Sequence, residues 1–163
     1  MPTAQSRLIL LDNTVLSNFA VVKRTDIVLQ LWNACSTTPD AWQEFQSGIE
    51  LGHLPGDAWK MIALTELTDI ELEIAKRLAS VLGAGERSCI AVVKNRGGLF
   101  VTDDRKARQV AQDLRIKVTG TSGILIVAVE RKIIPMADAN HLLAKMIQNG
   151  YRAPVDNLSS LLS

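Results

Sequence analysis

Residues 8–17, LILLDNTVLS, and residues 97–106, GGLFVTDDRK, share the pattern that decides the fold. Each contains a short apolar run that ends in acidic residues and leads into a helical pattern. Such a run predicts a strand buried on both faces, which is typical of parallel sheets. We therefore predict strands over 8–11 and 99–102, with Asp12 after the first and Asp103 and Asp104 after the second.

Outward from these two strands, strand and helix patterns alternate along the chain. Three further short strands are predicted over 35–38, 59–64 and 116–118. Helices are predicted over 14–22, 26–32 (capped by Thr25 or Asp26), from Pro39 to the Gly48 to Gly56 breaks, 68–82, 86–95, from Asp104 to 114, 123–131 and 135–148. Alternation of this kind predicts βαβ units. The expected fold class is α/β, with a central, mostly parallel sheet between two layers of helices.

Length and composition set further limits. A chain of 163 residues predicts a single domain over 1–163, with 135–163 as a C-terminal helical extension that either packs on the domain or meets a partner. The net charge of +1 excludes a strongly basic protein. The two cysteines, Cys35 and Cys89, lack metal or disulfide spacing, and no apolar run is long enough for a membrane helix or a signal peptide. We expect a soluble, cytoplasmic protein with no membrane partner.

Acidic residues are the candidates for chemistry. Ligand sites of open parallel sheets lie off the carboxyl ends of the strands, where acids from four places in the sequence are expected to converge: Asp12, Glu44, Glu86 and the Asp103 and Asp104 pair. Two such charges about 4 Å apart repel by about 4 kcal/mol at an effective dielectric near 20, and a divalent cation between them offsets that cost. Oxygen ligands suit Mg²⁺ or Mn²⁺. The competing interpretation is structural: helix caps for the aspartates, a helix-dipole contact for Glu86 and a solvated surface for Glu44.

Four stretches together resemble the PIN domain family, and in particular its prokaryotic VapC-like branch with GxGE and DDxxAR motifs. They are 8–17 (LILLDNTVLS), 82–91 (LGAGERSCIA), 101–108 (VTDDRKAR) and 120–125 (GTSGIL). The resemblance implies a three-layer fold and a metal-dependent ribonuclease, often the toxin of a toxin–antitoxin pair and often a homodimer. The expected cofactor is Mg²⁺ or Mn²⁺, and the expected partners are an RNA substrate, an antitoxin protein and a second copy of the chain.

The resemblance also implies roles for individual residues. Asp12, Glu44, Glu86 and Asp104 match the catalytic acids; Asp103 is the alternative to Asp104 as a metal ligand, and Glu50 is the alternative to Glu44. Asn13, Thr14 or Ser17 fills the polar position beside the first acid. The order Asp-Asn-Thr at 12–14, where the family has Asp-Thr-Asn, and the polar approach to Glu44 leave a second hypothesis open. It is a catalytically degenerate PIN-fold module that binds RNA or protein.

Cationic residues near these acids are candidates for binding RNA phosphates. Arg105, Lys106 and Arg108 follow Asp104, and Arg87, Lys94 and Arg96 lie on the Glu86 helix, so both groups are expected to flank the acidic cleft. The alternative is an ordinary solvated helix face. His53 and His141 have no partner at zinc-ligand spacing, which disfavours a zinc hydrolase. Apolar residues at 21–32 either form the self-interface or fill the core.

Overall fold

A computed structural model describes residues 7–78 and 80–162. The elements, in chain order, are β1 (Ile9–Leu11), α1 (Asn13–Val21), α2 (Thr25–Leu31), β2 (Ser36–Thr37), α3 (Pro39–Glu50), β3 (Ala63–Leu64), α4 (Asp69–Arg77), α5 (Ala84–Arg96), β4 (Leu99–Val101), α6 (Arg105–Asp113), β5 (Lys117–Thr119), α7 (Thr121–Glu130), α8 (Met136–Gln148) and a 3-10 helix (Leu158–Leu161). Strands and helices alternate as predicted, and the predicted α/β class is confirmed.

The five strands form one parallel sheet in the order β3-β2-β1-β4-β5. The first strand is therefore central, with β2 on one side and β4 on the other. Leu11 is in register with Val101, so β1 and β4 end at the same level. The acids that follow these two strands consequently emerge side by side at the carboxyl edge of the sheet.

Alternation along β1 divides the core between the two faces of the sheet. Ile9 and Leu11 belong to one apolar cluster, which also receives buried side chains from α1, α2, α7 and α8. Leu10 belongs to the other, which receives side chains from α5 and α6. Because successive strand side chains point to opposite faces, the helices form two layers around the sheet. This arrangement is the predicted three-layer architecture.

Two predicted elements are shorter than expected. The strand predicted over 59–64 is reduced to Ala63–Leu64, because Trp59 adopts a left-handed φ of 59° in a turn. Its indole ring is buried, and its Nε1 donates a hydrogen bond to the Leu16 carbonyl at 2.8 Å. The turn, rather than a strand, places the ring for this contact. The helix predicted over 68–82 ends at Arg77, and the extended backbone of Leu78 lets Leu82 reach the second cluster. Residue 79, within that predicted helix, lies outside the described residues.

The start of α2 also differs from the prediction. Arg24 occupies the N-cap position in place of Thr25 or Asp26, and its guanidinium donates to the Asp26 carboxylate at 3.0 Å. Of the apolar residues at 21–32, Val28 is fully buried, and Val22 and Trp32 pack against the first cluster. These three side chains therefore fill the core, which leaves less of this segment for the predicted self-interface.

The C-terminal residues pack on the same side as α1 and α7. Four side chains of α8 lie in the first cluster: Ala139, Leu142, Leu143 and Met146. The division into one domain with an extension at 135–163 stays a prediction. Within the described part of the chain, no helix is both long and apolar enough to cross a membrane.

Candidate active site

Asp12 ends the central strand and caps α1. Its Oδ1 accepts a hydrogen bond from the Thr14 backbone N–H at 3.3 Å, and its Oδ2 accepts one from the Thr102 hydroxyl. Only 1% of the residue is exposed. Burial raises the pKa of Asp12 to about 6, and the negative charges of Glu44 and Asp103 add to the shift while the two hydrogen bonds oppose it. The structural role as a cap and the predicted site position therefore coexist in one side chain.

Glu44 reaches the same edge from α3. Its Oε1 accepts a hydrogen bond from the Gly85 backbone N–H at 2.9 Å. The N-cap of α5 is Gly83, which has no side chain to satisfy the first N–H groups of the helix, so Glu44 does this from a neighbouring helix. The alternative acid, Glu50, is exposed at the last residue of α3 and lines a separate cavity with Asp57 and Lys60. Glu44 is the acid that the fold brings to the edge.

Gly85 is required by this contact. A Cβ there would lie 2.8 Å from the Ala41 Cα and 2.8 Å from Glu44 Oε2, so any side chain must separate α3 from α5. We expect Gly85→Ala to lower the free energy of unfolding by about 1–3 kcal/mol, the usual cost of overpacking, when thermal or urea unfolding is measured. Gly56→Ala is the matched control, since a Cβ at Gly56 meets no atom within 4 Å. Equal stability of the two variants would contradict the expected close approach.

Glu86 lies in the first turn of α5 and is half-buried. Burial raises its pKa to about 7, and the charges of Asp12, Asp104 and Glu44 contribute to the shift. Four carboxylates from four different parts of the chain thus act on one another electrostatically. A carboxyl with a pKa near neutrality and like charges around it is the usual mark of a functional position.

Asp104 caps α6, and Thr102 connects it to Asp12. The Asp104 Oδ1 accepts from the Ala107 N–H at 2.8 Å. The Thr102 hydroxyl donates to Asp12 and accepts from the Asp104 N–H at 3.1 Å. Thr102 is fully buried, and its hydroxyl is the one polar group described here that touches both acids. From the sequence Thr102 is predicted only as the end of a strand, and its local pattern carries no sign of this role.

Asp103 is engaged by the fold itself. Its Oδ1 accepts from the Thr121 N–H at 2.8 Å, and its Oδ2 accepts from the Thr121 hydroxyl and from Asn18 Nδ2 at 2.8 Å. It thereby caps α7, whose N-cap Gly120 has no side chain. Burial raises the pKa of Asp103. Asp103 helps to raise the pKa of Asp12 and Asp104 that of Glu86, so the charges do not separate the two. Both oxygens of Asp103 accept hydrogen bonds, whereas only Oδ1 of Asp104 accepts one from a described residue. The geometry therefore favours Asp104 over Asp103 as the site acid.

An open cleft of about 720 Å³ lies over these acids, here called the acidic cleft. Glu86, Asp103 and Asp104 line it together with five of the predicted substrate-binding residues: Asn13, Thr14, Ser17, Arg105 and Lys106. Ser17 donates to Asn13 Oδ1 at 3.1 Å, which orients the Asn13 amide so that its Nδ2 is available to a ligand. Thr14 is occupied instead, because its Oγ1 accepts from the Asp103 N–H at 3.0 Å.

The other predicted cations lie elsewhere. Among the described residues lining the acidic cleft there is neither Arg87 nor Arg108, and Arg108 donates to the Thr102 carbonyl at 3.4 Å. Lys94 and Arg96 are at the opposite end of α5, since eight to ten helical residues span about 12–15 Å. Arg96 is paired with Glu71 at 2.7 Å. The prediction that Lys94 and Arg96 flank the acids is therefore wrong.

The C-terminal segment supplies cleft residues that the sequence analysis did not identify. Asn149, Gly150, Tyr151 and Arg152 line the same cleft as the acids. The Tyr151 hydroxyl hydrogen-bonds to Ser122 at 2.8 Å, which fixes the segment against α7. Burial, with the charge of Asp103, raises the pKa of Tyr151 to about 12, so the hydroxyl keeps its proton at neutral pH. A cation and an aromatic residue directly after a helix, between Gly150 and Pro154, were the available signal.

The chemistry of the donor set fits a divalent cation. Its side chains offer only oxygen, which Mg²⁺ and Mn²⁺ prefer. In residues 7–78 and 80–162, no three acidic, histidine or cysteine side chains are close enough together to surround an ion. Mg²⁺ usually keeps several water molecules and takes one or two carboxylates, so a looser set of acids is compatible with it.

Acids gathered at the carboxyl edge of a parallel α/β sheet occur in several classes of protein, so the class is decided by comparison with known families. The chain belongs to the PIN domain family, whose model matches residues 8–163. PIN domains are typically nucleases that use divalent metal ions and bind nucleic acid. No curated protein and no solved structure matches this chain significantly. The predicted family is confirmed; its VapC-like branch stays a prediction.

Proposed function

We propose that this protein is a divalent-metal-dependent endoribonuclease that hydrolyses phosphodiester bonds in the acidic cleft. The observation that carries the proposal is the convergence of Asp12, Glu44, Glu86 and Asp104 at one sheet edge, beneath a cleft that cations also line. Asp12 is buried and the other three acids are half-buried. Like charges held this close together destabilise a fold, and a cation among them offsets that cost.

In this proposal Glu86 and Asp104, which line the cleft, and Asp12, which is buried, would hold Mg²⁺ or Mn²⁺ in part through the water molecules that such an ion keeps. When bound, the ion supplies a water of lowered pKa and neutralises charge on the phosphodiester. Glu44 has a second duty, because one of its oxygens holds the first turn of α5 and hence Glu86. Thr102 ties the Asp12 carboxylate to the backbone N–H of Asp104 and so fixes the start of the Asp104 helix relative to Asp12.

The substrate would be held by the cationic and amide side chains of the same cleft. Arg105, Lys106 and Arg152 are exposed at its wall and make no ion pair with any described residue. Their charges are therefore available to phosphates, which supply most of the affinity of a nucleic-acid complex. The Asn13 amide, oriented by Ser17, adds a neutral donor beside the acids.

The resemblance to the VapC-like branch extends the proposal to a toxin of a toxin–antitoxin pair, with an antitoxin protein and a second copy of the chain as partners. Exposed apolar side chains around β3 and α4, namely Met61, Leu64, Ile70 and Leu72, support a protein-binding surface of this kind. They lie on elements other than those that carry the acids.

The proposal is tested by cleavage of a fluorescent single-stranded RNA in the presence of Mn²⁺ or Mg²⁺. We expect the wild type to cleave it only with metal, and Glu86→Gln to slow cleavage by about a hundredfold or more, which corresponds to about 3 kcal/mol. Glu73→Gln is the control, since Glu73 is an exposed acid paired with Lys76 on α4. Cleavage that persists in EDTA or in Glu86→Gln would sink the proposal, and RNA binding without cleavage would instead identify the degenerate binding module.

A further inference from the structure

A second cavity, of about 500 Å³, adjoins the acidic cleft and is here called the side cavity. The two share four wall residues: Asp103, Arg105, Tyr151 and Arg152. Glu86 and Asp104 line only the acidic cleft. The side cavity is therefore continuous with the site that holds the acids, but it lacks the acids that would hold a metal.

The charge of the side cavity is positive. Its charged lining consists of Arg105, Arg108 and Arg152 against Asp103. Both oxygens of Asp103 already accept hydrogen bonds from Thr121 and Asn18, so this carboxylate is occupied by the fold. Arg105 and Arg152 stand between the two cavities without an ion pair to any described residue. An anion at that boundary would meet two guanidinium groups, which suit phosphate by their geometry.

The rest of the side cavity suits a nucleobase. Ile126, Pro154 and Leu161 provide apolar surface, and Gln112 provides an amide whose donors and acceptor are not used by any described residue. Its volume lies within the range of about 300–1,000 Å³ typical of sites that take small organic groups. Apolar contact with a base face and hydrogen bonds to its edge are the means by which proteins hold unpaired bases.

We propose that the side cavity binds the nucleotide next to the scissile phosphate of a single-stranded substrate, with Arg105 and Arg152 on the phosphate between the two cavities. The inference rests on the proposed nuclease function, because that function places a phosphodiester in the acidic cleft. A base in the side cavity must be unpaired, so the cavity selects a single strand over a duplex. The C-terminal segment at 149–154 thereby becomes part of the substrate site.

The test measures binding of a fluorescein-labelled single-stranded RNA dodecamer by anisotropy, in EDTA so that no metal-dependent cleavage occurs. Arg152→Ala removes the boundary charge, and Gln112→Glu places a negative charge in the side cavity alone. Each is expected to weaken binding about fivefold to tenfold, and Arg152→Ala to reduce the slope of log affinity against log salt by about 0.7, the value for one lost phosphate contact. The matched controls are Arg131→Ala, an exposed arginine at the end of α7, and Gln46→Glu, whose side chain lines a different cavity.

Wild-type affinity in both side-cavity variants, or no binding of the strand by the wild type, overturns the inference. Metal-dependent cleavage is measured separately on the same proteins. If the wild type cleaves RNA and neither variant weakens binding, the nuclease proposal is kept and the side cavity is not part of the substrate site. Binding that falls as expected in a protein that never cleaves RNA keeps the side cavity as a nucleotide site and overturns the nuclease.

Discussion

Asp12→Asn is expected to make the protein more stable at pH 7.5 and to abolish the proposed cleavage of RNA. Burial raises the pKa of Asp12 from 3.8 to about 6, so ionisation costs the folded state more than the unfolded one. This rise in pKa corresponds to at most about 3 kcal/mol of stability lost at pH 7.5. Asparagine removes the charge and keeps a side-chain oxygen for the Thr14 N–H. Its amide nitrogen is a donor, so the Thr102 hydroxyl, which donates to Asp12, has to accept from it instead, and this change offsets part of the gain. We expect a rise in melting temperature of about 5 °C.

The dependence on pH identifies the cause of that gain. When the pKa of a carboxyl is higher in the folded than in the unfolded state, the protein loses stability as the pH rises from the unfolded pKa through the folded pKa. The advantage of Asp12→Asn should therefore be large at pH 7.5, shrink between pH 6 and 3.8, and be nearly absent below pH 3.8. Asp113→Asn, a change at an exposed aspartate at the end of α6, is the control and should show no such profile. A variant that is less stable than the wild type at pH 7.5 would contradict the argument.

Addition of metal distinguishes a metal ligand at Asp12 from a buried charge that has no ligand. A ligand at 100 times its dissociation constant stabilises the folded state by about 2.7 kcal/mol. Mn²⁺ should raise the melting temperature of the wild type and leave that of Asp12→Asn nearly unchanged. In calorimetric titration the wild type should bind Mn²⁺ more tightly than Asp12→Asn does. If Mn²⁺ stabilises both proteins equally, Asp12 is not a ligand and the metal site lies elsewhere.

The fold could be predicted because its signals are local. The apolar runs at 8–11 and 99–101 are too short and too continuous for amphipathic helices, and each is followed by a helix cap. The predicted strand at 59–64 was wrong over most of its length for a reason that lies outside the segment. Trp59 takes a left-handed turn conformation to reach the Leu16 carbonyl, 43 residues earlier, and periodicity carries no sign of such a contact.

The candidate site divides in the same way. Asp12, Glu86 and Asp104 could be predicted because each directly follows a strand or opens a helix, and such positions meet at one sheet edge. The choice of Glu44 over Glu50 depends on how α3 crosses α5, which the fold determines through Gly85. Arg152 depends on where the chain travels after α8. Contacts between distant segments decide both positions. The sequence alone therefore left the choice between Glu44 and Glu50 open and did not indicate Arg152.

Glu71→Gln is expected to lower the stability of the fold and to leave the proposed cleavage of RNA unchanged. Glu71 is fully buried and completes a capping box with Thr68 at the start of α4. Its carboxylate also accepts two hydrogen bonds of 2.7 Å from Arg96, which joins α4 to the end of α5. The Arg96 hydrogen bonds hold the pKa of Glu71 down at about 2, below its ordinary 4.5. Arg96 is 37% exposed, so solvent screens the ion pair and the lowered pKa overstates its contribution to stability. We therefore expect Glu71→Gln to lower the free energy of unfolding by about 2 kcal/mol at pH 7.

The acid limb of the stability curve distinguishes this ion pair from a packing defect. A carboxyl with a lowered folded pKa contributes stability that is fully present above its unfolded pKa and is lost as the pH falls through its folded pKa. The difference between wild type and Glu71→Gln should thus be constant from pH 8 to about 4.5 and diminish toward pH 2. Glu73→Gln, two residues along the same helix, is the control, because its exposed pair with Lys76 contributes little. A Glu71→Gln defect that stays unchanged down to pH 2 would mean that shape, not charge, joins α4 to α5.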